Sequence, residues 1–210
     1  MKKIHILGNG DSAAFFKPHA RERDGRLLIC NMPPMEVYNV YACCMVDFKM
    51  MKNLTKKEIN LDQYKWVLGN RPKIWMDKNP SFYIEHSWHI REFYTDVPKY
   101  CGKPANQAAT NFNCGHMATH YAARRHEPEE IHMWGFDSIM DHSMRSYTDT
   151  ILPSDRNNTN NYKLLEVWRP IWTNMFKEFS DKKFVIHHMH NKPKTKLPPN
   201  VGVEVHSKKS

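Results

Sequence analysis

Three polar residues stand where short apolar runs give out. Asn9 follows Lys3–Leu7 across a glycine, Asn31 follows Arg26–Cys30, and Asp137 follows Glu130–Trp134 across Gly135-Phe136. Each run is aliphatic or β-branched and ends at turn-forming residues, which marks a strand. In an open α/β sheet, ligands bind beyond the carboxyl ends of the strands. If these strands are neighbours, the three groups share one cleft. The first loop, Gly8-Asn9-Gly10-Asp11-Ser12, adds glycines that let backbone approach a ligand, and a helix start whose N–H groups suit an anion. The dinucleotide pattern GxGxxG is incomplete because position 13 is alanine, and no GK[ST] follows. Two readings therefore stand side by side: a phosphate site, or a turn capped by Asp11 or Ser12.

Other chemistries leave weaker traces. His116 and His120 stand four apart on an expected helix, the spacing of two zinc ligands, but the run is HMATH and lacks the glutamate of HExxH. His187, His188 and His190 cluster at the last expected strand. Both groups read as core or surface histidines, and no Asp-x-Asp pair ends a strand, so no metal is expected; a metal-bound hydrolase is the minor alternative. There is no GxSxG elbow; Cys114 close to His116 suggests a thiol enzyme only by sequence proximity.

The chain that positions these groups has 210 residues, enough for one domain with a substantial core. A hydrophobic fraction of 40% excludes a disordered chain. The formal charge of +9 favours polyanionic partners: nucleic acid, acidic headgroups or phosphorylated substrates. Five cysteines without CxxC spacing read as buried thiols in a reducing compartment. Too few apolar residues follow Lys2-Lys3 for a secretory signal, and no apolar run approaches the length of a membrane span. A cytoplasmic location is expected.

Strands are expected at Lys3–Leu7, Arg26–Cys30, Val40–Val46, Lys73–Asp77, Glu130–Trp134 and Lys183–His188, several of them continuously apolar as in sheets covered on both sides. Helices are expected at Asp11–Ala20, Met50–Lys57, Thr110–Arg125 and Asn161–Phe179, the last kinked at Pro170 and capped by Asn160 or Asn161. The alternation predicts a Rossmann-like, mostly parallel sheet with helices on both faces. Residues 1–190 form the domain, and 80–105 read as a lid or insertion. SDRNNTNN at Ser154–Asn161 is a polar loop. The basic, proline-bearing tail 191–210 ends in VGVEV, a possible edge strand.

Taken in order, GNGDS, the strand-end Cys30-Asn31, Cys114-Gly115 opening a helix and EIHMWGFD resemble the bacterial sialyltransferases of glycosyltransferase family 42 and their relatives with a GNGPS start. The resemblance implies a single Rossmann-like domain that transfers sugar from a cytidine-monophosphate donor with inversion, without a metal and with no cofactor beyond the nucleotide sugar itself. It implies that Gly8, Asn9, Gly10 and Ser12 form the donor phosphate and ribose loop and that Asn31 contacts the donor. Asp47 falls where the family has an asparagine near the base, Cys114-Gly115 at its Ser-Gly pair by the nucleotide, and Asp137 at its strand-end aspartate. The family's late catalytic histidine falls here at Arg156 or its neighbours, and its tyrosine two residues after the aspartate is Ile139.

Inverting transfer needs a base for the acceptor hydroxyl and donors for the departing phosphate. MDHSMRSYTD, after Asp137, offers His142, with Asp137 or Asp141 as alternative bases; Arg145, Arg156 and Tyr147 would meet phosphate oxygens. Basic runs such as MKNLTKKE interleave with Trp66, Trp75, Trp88 and Tyr94, as in nucleic-acid grooves. The acceptor expected first is a hydroxymethylated base in DNA, a modification made by phage enzymes that would require base flipping. The alternatives are a surface glycan acceptor or a non-catalytic module that binds nucleotide or nucleic acid.

Overall fold

The structure is a computed structural model that describes residues 2–103, 105–141, 146–152 and 163–207. Its strands are β1 Lys3–Leu7, β2 Arg26–Cys30, β3 Val40–Met45, β4 Trp66–Leu68, β5 Ile90–Phe93, β6 Glu130–Trp134, β7 Lys183–His188 and β8 Val201–Val205. Its α-helices are α1 Phe48–Thr55, α2 Asn70–Asp77, α3 Pro80–His86, α4 Ala105–Asn111, α5 Cys114–His126, α6 Asp137–Met140, α7 Tyr147–Ile151 and α8 Arg169–Glu178. Among the described residues the sheet has eight strands in the order β5-β4-β3-β2-β1-β6-β7-β8. Every pairing in it is parallel. This is the expected single-domain, Rossmann-like α/β fold.

Both faces are covered. Ile4, Ile6, Leu28 and Ile131 pack beneath α5 and α8, whereas Leu7, Leu27, Ile29 and Trp66 pack on the other side with Phe16, Met50 and Met51. Successive strand residues point to opposite faces, so a strand buried on both sides reads as an unbroken apolar run. That is why β1, β2, β3, β6 and β7 are legible in the sequence.

Several local expectations change. Lys73–Asp77 is not a strand; it is the body of α2. Pro72 lies in the first turn, where a missing N–H costs nothing, and Lys73 pairs with Asp77 one turn on at 2.8 Å. The strand there is Trp66–Leu68, too short to show periodicity. Residues 80–105, expected as a lid or insertion, supply α3 and the edge strand β5. The opening helix is a 3-10 helix, Asp11–His19, holding Pro18. The helix expected at Thr110–Arg125 is divided before Cys114, where Asn113 caps α5. A π-helical turn, Lys163–Trp168, precedes α8, so Pro170 sits in the first turn of a new helix instead of kinking a long one. VGVEV is the edge strand β8. The Asn160/Asn161 cap and the SDRNNTNN loop fall outside the described residues. No helix among the described residues is long and apolar enough to cross a membrane.

Candidate functional site

The chain builds β1 to β5 outward on one side, then returns to place β6, β7 and β8 on the other. The switch point lies between β1 and β6, the usual place for a ligand crevice in an open α/β sheet. A cavity of about 120 Å³ occupies it, and Gly8, Asn9, Gly10 and Asn31 line it from the β1 and β2 ends. Asp47 enters from the β3 end, Cys114 and Gly115 from the start of α5, and Asp137 from the β6 end. Trp168 and Trp172 close one wall with Phe136. Asn9, Asn31 and Asp137 therefore share one hollow.

A larger cavity of about 740 Å³ lies among α1, α2 and α3, beside Lys57, Asp62, Lys78 and Glu85. It is a wide surface depression framed by exposed charges, and it shares no lining residue with the strand-end hollow. The smaller hollow is the chemically distinctive one, because two residues that line it, Asn9 and Asn31, carry buried polar atoms without partners among the described residues.

The opening loop answers to Asp137. Gly8 N–H donates to Trp134 O at 2.7 Å and Gly10 N–H to Gly135 O at 3.0 Å. Ser12 N–H donates to the Asp137 carboxylate at 3.1 and 3.3 Å, and the Ser12 hydroxyl donates to it as well. Asp137 thus fills the anion position at the start of the 3-10 helix. Gly10, not Asp11 or Ser12, is the N-cap. The glycines serve contact within the protein. A Cβ at Gly8 would lie 2.7 Å from Gly135 O, and one at Gly10 would lie 2.7 Å from the Asp137 carboxylate.

Two amide oxygens are left over. Asn9 donates Nδ2 to Cys30 O at 2.6 Å and to Thr148 Oγ1 at 3.1 Å. A carbonyl only accepts, so this bond fixes the amide orientation. Its Oδ1 is buried and unpaired among the described residues. Asn31 adopts φ 56°, a left-handed conformation that asparagine tolerates better than most residues. It is 7% exposed, and its Oδ1 is also buried without a partner. An unsatisfied buried acceptor costs about 1–3 kcal/mol, so each of these oxygens needs a donor that the described residues do not supply.

The start of α5 forms the opposite wall. Asn113 Oδ1 accepts from His116 N–H at 2.9 Å, and Asn113 N–H donates to His116 Nδ1 at 3.3 Å. Nε2 therefore carries the proton toward Trp168 O at 3.2 Å. Burial lowers the His116 pKa to about 3, so the ring is neutral. His120 instead meets Tyr94 Oη at 2.6 Å. The helical pair is thus spent on separate core partners. Cys114 donates Sγ–H to Cys44 O at 2.9 Å, and burial pushes its thiol well up, so it is no thiolate nucleophile. Gly115 lies where a Cβ would come 2.9 Å from Phe136.

The charges at the site have internal partners. Asp47 pairs with Arg71 at 3.0 Å. Behind Asp137, the fully buried His188 sets Nε2 3.7 Å from Asp137 Oδ1 and 3.2 Å from Asp141 Oδ2. His190 Nε2 lies 2.8 Å from Asp141 Oδ1. His188 and His190 read as structural from the sequence, yet they follow the strand-end rule that singled out Asn9 and Asn31. Tyr147 donates its N–H to Asn9 O at 2.8 Å and leaves its ring exposed. His142, Arg145 and Arg156 lie outside the described residues. Of the aromatics expected in a basic groove, Trp66 and Tyr94 are core residues, and Trp88, 63% exposed, precedes β5 at the amino ends of the strands, away from the cleft. All five cysteines are buried free thiols. The chain matches no family model, no curated protein and no solved structure.

Proposed function

We propose that the switch-point cleft binds the nucleotide end of an activated sugar, CMP- or UDP-linked, and that the protein is an inverting glycosyltransferase. One observation carries this reading: Asn9 and Asn31, whose Oδ1 atoms are buried and unpaired among the described residues, line one cavity beside the N-terminus of the 13-residue helix α5. Two acceptors suit ribose hydroxyls or the amino group of a cytosine. The helix N-terminus, with its backbone N–H groups, suits phosphate. Asp137 holds the opening loop in shape, so the phosphate falls to the α5 side rather than to Gly8–Ser12. The base in this reading is His142, and Arg145, Arg156 and Tyr147 stabilise the leaving phosphate. The acceptor hydroxyl is proposed on a polyanion, with hydroxymethylated DNA first; the net charge of +9 supports this.

A second reading, a non-catalytic nucleotide-binding module, draws support from Asp47 and Asp137, since both cleft carboxylates are already engaged. Thermal melting of the full chain with CMP, UDP, CMP-sialic acid and UDP-glucose tests the shared claim. A nucleotide at 100 times its Kd stabilises by about 2.7 kcal/mol, and Asn31→Ala should abolish that shift. No shift with any of them at millimolar concentration overturns the proposal. Donor turnover that is lost in His142→Ala supports the enzyme, whereas binding without turnover supports the module.

A further inference from the structure

On the face of the sheet opposite α5 and α8, side chains from the last two strands and from the residue after β8 meet. His187 Nδ1 lies 2.8 Å from His206 Nε2. Glu204 places Oε2 3.7 Å from His187 Nδ1 and Oε1 3.8 Å from His206 Nε2. A tetrahedral ion bound at about 2.0–2.1 Å needs its ligand atoms roughly 3.3 Å apart. The three separations, taken to a different Glu204 oxygen from each histidine, bracket that value, so a small turn of the Glu204 carboxylate and a slight parting of the two rings complete the site.

Hydrogen bonds behind the cluster set the chemistry of His187. Glu130 Oε2 lies 3.1 Å from His132 Nε2, and a carboxylate accepts, so His132 Nε2 carries the proton. His132 Nδ1 is then an acceptor, and His187 Nε2 donates to it at 2.9 Å. The lone pair on His187 Nδ1 is left pointing at Glu204 and His206, whose Nε2–H donates to it at 2.8 Å and would pass that proton to its other ring nitrogen or to solvent on binding a metal. A carboxylate–histidine relay behind a ligating imidazole is the usual support for a metal-binding histidine. The rings are also held in place: Trp134 stacks on His187 at 3.4 Å with planes 3° apart, and Phe15 stacks on His206 at 5.2 Å.

Access is graded. The His187 side chain is 3% exposed, His206 20% and Glu204 56%, so the cluster is closed toward the protein and open to solvent. The cluster Asp141–His188–His190 lacks this arrangement. Both of its imidazoles accept a backbone N–H at Nδ1, from His190 and from Lys192, which leaves protonated Nε2 atoms facing Asp141.

We propose that His187, Glu204 and His206 bind a divalent transition ion of the zinc class, with two imidazoles, one carboxylate and a fourth position open to water. His187 belongs to β7, Glu204 to the edge strand β8, and His206 follows β8. The ion therefore fastens the edge strand to its neighbour.

The test uses tag-free full-length protein stripped with a chelator. Titration with Co²⁺ should give the visible absorption of a tetrahedral nitrogen–oxygen site, displaced by Zn²⁺ and not by Mg²⁺. Zn²⁺ in excess should raise the melting temperature by roughly 5 °C or more. His206→Ala and Glu204→Ala should each weaken binding at least tenfold; Glu204 is exposed enough that its variant folds. His190→Ala and, in the separate Asp62–His86–His89 group, His86→Ala should bind as the parent does. The proposal is overturned if neither ion binds, if binding survives in both His206→Ala and Glu204→Ala, or if it is lost in His190→Ala or His86→Ala.

Discussion

Replacing Asp137 with asparagine separates a structural carboxylate from a reactive one. Asp137 is 5% exposed and accepts from the Ser12 N–H at 3.1 and 3.3 Å as well as from the Ser12 hydroxyl. Hydrogen bonds to charged groups contribute about 1.5–3 kcal/mol each. Asparagine keeps one oxygen and turns an NH₂ toward the remaining donor; the hydroxyl can rotate to accept, but the N–H cannot. The expected net loss is about 2–4 kcal/mol. For a chain of this size each kcal/mol shifts Tm by about 2–4 °C, so Asp137→Asn should melt roughly 5–15 °C lower. Differential scanning calorimetry of the full chain reads this directly. Ser12→Ala removes one of the donors, and a double-mutant cycle with Asp137→Asn should show coupling of about 1–2 kcal/mol. A carboxylate kept in place for reactivity, against the stability of the fold, would behave oppositely. An Asp137→Asn variant that melts within a degree of the parent, or higher, refutes the clamp reading.

Acid should destabilise the protein well before carboxylates protonate. Burial lowers the pKa of His5 to about 4 and of His116 to about 3, so the unfolded chain takes up protons that the folded chain refuses. Their contribution is complete above the unfolded value near 6.5 and is lost as pH falls toward 4 and 3, at up to about 1.4 kcal/mol per pH unit for each ring. Urea midpoints should fall from pH 7 to pH 4.5, these two rings alone contributing the equivalent of about 5 kcal/mol at most; flat midpoints across that range would contradict the burial of these rings. Gly10→Ala, whose Cβ would lie 2.7 Å from the Asp137 carboxylate and 2.9 Å from Gly135 O, should lose about 1–3 kcal/mol. Gly202→Ala, with nothing within 4 Å, should be neutral or slightly stabilising in the same melting assay. Equal melting of the two variants would contradict the close approach of the β1 and β6 loops.

Much of the scaffold can be read locally. Strands covered on both faces write themselves as apolar runs, so β1, β2, β3, β6 and β7 and the polar groups at their ends are visible in one dimension. The edge strand β5 carries the exposed Arg91, and β4 spans three residues, so neither leaves a readable pattern. The run at Lys73–Asp77 has the apolar content of a strand but belongs to a helix, because a three-residue strand just upstream already fills the adjoining place in the sheet.

From its sequence alone this chain is committed to a parallel α/β sheet with Asn9, Asn31 and Asp137 at strand ends, because burial on both faces constrains residue type position by position. Which groups answer one another was decided only in three dimensions. Ser12 finds Asp137 across 125 residues through the pairing of β1 with β6. His187 meets His206 through the pairing of β7 with β8. Hydrogen-bond partners depend on the register between strands, and register arises from the packing of the whole sheet, which no local stretch of sequence contains.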